Sequence, residues 1–154
     1  MSPMYPAPMY PGVPGTPTAP PPRAVDTLAQ LRGGLSASAP ADWVEQLRSG
    51  LRQLRDELRE HIAATEGPNG LYDEVRRSDP RLACAVTRLR REHGKLSDTV
   101  DELSAWASEA EEDPSRLNAV RPRIRALLKQ WGSHRRRDTQ LAYDAVSLDL
   151  GGQD

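Results

Sequence analysis

Apolar residues in this chain recur at alternating intervals of three and four, the spacing that keeps side chains on one stripe of an α-helix. One series runs Trp43, Leu47, Leu51, Leu54 and Leu58, then meets His61 and Thr65. A second runs Leu82, Val86 and Leu89, meets His93, and resumes at Leu96, Val100 and Leu103. A third runs Leu117, Val120, Ile124, Leu127 and Trp131, meets His134 and Asp138, and resumes at Leu141, Ala145 and Leu148. No segment alternates with period two and no hairpin turn signal occurs, so the pattern predicts an all-α fold. Each stripe faces a core. The three histidines of the chain and one aspartate therefore point inward from three different helices.

Breaks between the stripes set the element boundaries. Ala24–Arg32 predicts a short first helix stopped by Gly33–Gly34. Asp42 is placed to cap a long helix that runs to about Glu66, where Gly67-Pro68-Asn69-Gly70 interrupts it. Leu71–Arg77 reads as a short helical extension. Asp79-Pro80 and Asp113-Pro114 each put a capping residue before a first-turn proline. The helices they open should run to about Glu111 and to Gly151-Gly152. Pro122, inside the last of these, should kink or divide it.

Residues 1–23 contain most of the prolines and the repeated tetrapeptide PMYP. Proline lacks an amide donor and fixes φ, which predicts a disordered or polyproline-like tail. The organisation is then a Pro-rich tail over 1–23 and a helical bundle over 24–150. No apolar run is long enough to span a bilayer, and the start lacks the pattern of a secretory signal. A net charge of −1 argues against a protein built around nucleic acid or an anionic membrane. The densest basic run, Arg135-Arg136-Arg137, is diluted by nearby acidic residues. One cysteine, Cys84, excludes an internal disulfide and suits a reducing cytoplasm; it reads as a small buried thiol. With no phenylalanine, the core must be Leu, Val, Ala and the tryptophans at 43, 106 and 131.

Inward imidazoles and a carboxylate cost several kcal/mol unless something satisfies them. A metal ion is the leading candidate, and mixed nitrogen and oxygen donors suit iron, manganese or zinc. His134 and Asp138 lie four residues apart, one turn along one face. His61 is followed by Thr65 at four and Glu66 at five residues, and only Glu66 is a strong ligand. His93 is the firm ligand of its helix. The candidate metal ligands are thus His61, Glu66, His93, His134 and Asp138.

Three blocks, LRDELREHIAATEGPNGLYDEV (54–75), RLRREHGKL (88–96) and LLKQWGSHRRRDTQLAYDAV (127–146), resemble a hemerythrin-like, HHE cation-binding domain. In such domains the second and fourth helices carry a His, an acidic residue about one turn later, and then an aromatic-containing segment. The third carries a Glu-His pair. The resemblance implies an up-down four-helix bundle around a non-haem di-iron centre that binds O2 or responds to oxygen, nitric oxide or iron. The chain departs from that pattern where no histidine precedes His61, where Thr65 occupies the acidic position, and where Glu66 falls one residue late. A mononuclear site is therefore an alternative to a di-iron one, and a metal-free bundle acting as a protein-interaction module is a second alternative. A ferritin-like oxidase would place Glu three residues before its histidines, where this chain has Leu58, Arg90 and Trp131. Neither a nucleophile–base arrangement nor a phosphate-binding loop is visible, so the expectation is a binding or sensing protein and not an enzyme.

Overall fold

The computed structural model describes residues 40–109 and 116–150. They form helix α1 (Pro40–Glu66), the short helix α2 (Leu71–Ser78), a 3-10 turn (Pro80–Leu82), and the long helices α3 (Ala83–Glu109) and α4 (Leu117–Leu150). Among the described residues there is no strand. The expected tail over 1–23, the short helix over Ala24–Arg32, the Asp113-Pro114 start and the Gly151-Gly152 stop lie outside the described residues. So do the side chains of the terminal seam positions Leu117 and Leu148.

The stripes pack as their spacing requires, into two apolar clusters. The larger joins Trp43, Val44, Leu47, Leu51, Leu54 and Leu58 of α1 to Leu96, Val100, Leu103 and Ala107 of α3. From α4 it takes Val120, Ile124, Leu127 and Trp131. The smaller joins Tyr72 and Val75 of α2 to Val86 and Leu89 of α3 and to Leu141 and Ala145 of α4. Burying each large apolar side chain contributes about 1.5–3 kcal/mol. Along α4 the chain passes from the large cluster to the small one, and along α3 it passes the other way. Helix α3 is therefore antiparallel to α1 and α4, the arrangement of an up-down bundle. Between the clusters lies one polar layer, which holds His61, Thr65, His93, His134 and Asp138.

The connection from α1 to α2 positions that layer. Gly67 N–H donates to the Ala63 carbonyl (3.1 Å) and Gly70 N–H to the Gly67 carbonyl (2.8 Å), with Asn69 in the left-handed region at φ 58°. A Cβ on Gly70 would come within 2.7 Å of the Thr65 carbonyl oxygen and 2.8 Å of that of Gly67. Both are backbone atoms that cannot swing aside, so the turn needs glycine there. It delivers α2 across the end of α1 with Tyr72 inward. Asp79 ends α2 and caps the 3-10 turn, accepting from the Arg81 amide (3.0 Å) and from its guanidinium Nε (3.0 Å). Hydrogen bonds from Arg81 hold the Asp79 carboxyl below the ordinary carboxylate range.

Three expectations are corrected. Helix α1 starts at Pro40, so Asp42 lies in its first turn instead of capping it; a negative charge is still favourable there beside the unpaired amides. Pro122, expected to kink or divide the last helix, does not divide it: α4 runs unbroken over Leu117–Leu150 with Pro122 as its sixth residue. Cys84 is exposed, since it falls between Leu82 and Val86 and points away from their stripe. The tryptophans do fill the core: Trp43 and Trp131 are buried and Trp106 packs against the same cluster. No helix among the described residues is long and apolar enough to cross a membrane.

Candidate metal centre

Four of the five sequence candidates converge. One ligand atom from each of His61, His93, His134 and Asp138 lies within 4.8 Å of all the others. His61 Nε2 is 3.1 Å from His134 Nε2, and the Asp138 Oδ2 atom lies 2.5 Å from the first and 3.2 Å from the second. Metal–ligand bonds of about 2.0–2.2 Å place donors around one ion roughly 3–4 Å apart, and the separations here, from 2.5 Å to within 4.8 Å, straddle that range. His134 is wholly buried, His93 is 2% exposed and Asp138 6%. His61 is partly exposed at the rim.

Glu66 is not in this group. Its carboxylate accepts from His93 Nδ1 at 2.5 Å, on the side of the ring away from the cluster. Glu92, on α3 beside His93, does the same for His134 Nδ1 at 2.9 Å. Arg137 donates to the same Glu92 oxygen through Nε (3.2 Å) and Nη2 (2.9 Å). Each carboxylate fixes the tautomer and the plane of its imidazole, turning Nε2 inward as a metal ligand must be held. The third ring differs: His61 Nδ1 faces Arg135 Nη1 at 3.5 Å. Thr65 is not among the clustered donors: its hydroxyl donates back to the His61 carbonyl at 2.8 Å and also touches the Tyr72 phenol.

Three side chains around the layer, Tyr72, Trp131 and Glu92, are not candidates from sequence. Tyr72, fully buried, donates its phenol to Asp138 Oδ1 at 2.6 Å and stands 3.5 Å from His93 Nε2. Trp131 stacks on the His134 ring and meets the edge of His61, closing the layer toward the larger cluster. The only sequence signal for Tyr72 was an aromatic residue after the glycine turn, and for Glu92 its place next to His93.

The charges are arranged to hold an anion opposite imidazoles. Burial alone would raise the Asp138 carboxyl, but close contacts with His134 and His61 and the Tyr72 hydrogen bond hold it well below the usual range. Burial, then the bond to Asp138, pushes the Tyr72 phenol far above its ordinary value, so it remains a proton donor. Burial lowers His93 despite Glu66. Burial also acts to lower His134, but Asp138 and Glu92 outweigh it and leave that ring raised. One atom remains unanswered. Asp138 Oδ2 is buried and has no hydrogen bond of ordinary geometry, its contacts being the ion-pair approaches of His61 at 2.5 Å and His134 at 3.2 Å. An orphaned carboxylate oxygen among inward imidazole nitrogens is what a bound cation would satisfy, so these residues fit a metal ion.

A model of the hemerythrin HHE cation binding domain matches residues 23–146. The chain belongs to the hemerythrin HHE family. No curated protein and no solved structure matches it. Membership accounts for the helical bundle and implies a metal-binding site, and four His and Asp side chains cluster within the bundle. Within this hemerythrin domain the described residues bring four donors inward, and the carboxylates of Glu66 and Glu92 are engaged on the outer nitrogens of the histidines.

Proposed function

We propose that this hemerythrin-like chain holds a single non-haem iron through His61, His93, His134 and Asp138, and that it binds or senses oxygen, nitric oxide or iron without turning over a substrate. The observation that carries the reading is the buried, unbonded Asp138 Oδ2 within 3.2 Å of two imidazole nitrogens. Imidazoles with one carboxylate are a donor set that iron(II) favours, and four donors leave positions open for a small exogenous ligand. One ion is favoured over two because, among the described residues, the other carboxylates at the layer, Glu66 and Glu92, already serve imidazoles from outside.

The test is metal content per chain after anaerobic Fe(II) loading, with absorption recorded before and after nitric oxide and then air. About one iron per chain, with a new visible band on adding nitric oxide, is the expected result. Two irons would overturn the single-ion reading and require donors outside the described residues. Absence of iron under every loading condition would leave a metal-free helical bundle, whose role would lie in binding another protein.

A further inference from the structure

We propose that Tyr72 is a positioning residue of the metal centre, holding Asp138 by Oδ1 so that the carboxylate presents only Oδ2 to the ion. This rests on the metal-binding reading above and goes beyond it, because it assigns what sets the coordination at the carboxylate. Three observations carry it. The phenol is fully buried and donates to Oδ1 at 2.6 Å. The other oxygen, Oδ2, is the one that faces His61 and His134 and lacks a hydrogen bond. Tyr72 also arrives from α2, while Asp138 belongs to α4, so the bond ties the carboxylate to a separate element and resists its rotation.

A free carboxylate binds a cation through one oxygen or chelates it through both. The phenol hydrogen takes one lone pair of Oδ1 and draws density from it, so Oδ1 is the poorer donor to a cation, and turning the carboxylate to chelate would weaken a short buried hydrogen bond. Among the described residues the phenol's other polar neighbours are His93 Nε2, at 3.5 Å, and the Thr65 hydroxyl. Tyr72 thus keeps Asp138 a one-oxygen ligand, and the position that chelation would fill stays available to an exogenous ligand. Its ring, stacked on His93 with centroids 5.7 Å apart, holds the hydroxyl in place.

Cobalt(II) is the probe, because its visible absorption is intense in four-coordinate sites and weak at higher coordination number. Wild type and Tyr72→Phe are titrated with cobalt(II) in competition with a chelator, and the band is recorded per bound metal. Phenylalanine retains the ring that stacks on His93, and circular dichroism checks that the variant is folded. Both proteins should bind one cobalt, with the variant about tenfold or more weaker and its band reduced as the released carboxylate chelates. A variant with unchanged affinity and spectrum, whatever its melting temperature, would overturn the proposal. Iron(III) loading gives a second arm: a phenolate-to-iron band in wild type that Tyr72→Phe removes would mean that Tyr72 ligates the ion itself, which also overturns it. If Tyr72→Phe does not fold, Asp138→Asn replaces it, keeping the acceptor for Tyr72 but removing the anionic donor. That variant should lose cobalt binding, and full retention would overturn the proposal. Wild type that takes up no cobalt would sink the metal reading together with this one, whereas an unaffected Tyr72→Phe sinks this one alone.

Discussion

His93→Ala should separate metal binding from folding. His93 sits on the α3 stripe between Leu89 and Leu96 and is 2% exposed, so its removal leaves a hole in a packed layer. For a wholly apolar side chain such a truncation costs about 2–5 kcal/mol. Here part of that is returned, because the inward nitrogen has only a long contact with Tyr72 at 3.5 Å, and a poorly satisfied buried polar atom costs about 1–3 kcal/mol. The partner of the other nitrogen, Glu66, is partly exposed and regains water when the ring is gone. A net loss of about 1–3 kcal/mol is below the roughly 5–15 kcal/mol that a domain has in hand, so the variant stays helical. The metal effect is larger. An ion present at a thousand times its dissociation constant stabilises the folded chain by about 4 kcal/mol, which raises the melting temperature by roughly 15 °C in a domain of this size. Melting curves by circular dichroism, with and without iron(II) under anaerobic conditions, read both quantities. Wild type should show the shift and His93→Ala none. A variant that keeps the full shift would show that His93 is not a ligand. One that is unfolded without metal would show that the layer depends on the ring itself.

The outer carboxylates should matter less than the ligands but still measurably. Glu92→Gln and Glu66→Gln are each expected to weaken metal binding by roughly 10–100-fold while retaining one ion per chain; chelator competition reads this, and unchanged affinities would remove their orienting role. Away from the centre, Asp79 carries a pH signature. Arg81 holds its carboxyl below the ordinary value, so Asp79 contributes stability that is present above the unfolded value near 3.9 and lost as pH falls through the lower folded value. Asparagine keeps an acceptor for the Arg81 amide but not the charge. The urea midpoint of wild type should therefore fall more steeply below about pH 4 than that of Asp79→Asn, and parallel curves would refute the linkage.

What was legible in the chain follows from helix geometry. His61, His93, His134 and Asp138 lay on 3-4 spacings that leave a side chain no direction but inward, and the structure gathers all four. Glu66 shows the limit of the same rule. At five residues beyond His61 it is turned about 140° around the helix, whereas the fourth residue, Thr65, is turned only about 40°. It therefore leaves the cluster and reaches a histidine of another helix. Glu92 likewise serves His134 on α4 and not its neighbour His93. Partnerships across helices depend on the distance and rotation between the elements, and a periodic pattern along one helix contains neither. Tyr72 was hidden for a second reason: α2 has eight residues, too few for a stripe to declare its inward face. The apolar stripes thus announced where the bundle would be interrupted by polar groups. Whether those groups satisfy one another or wait for an ion is decided by three contacts between elements, Glu66 to His93, Glu92 to His134 and Tyr72 to Asp138. These contacts engage the outer nitrogens of His93 and His134 and one carboxylate oxygen, and they leave Asp138 Oδ2 as the atom that calls for a cation.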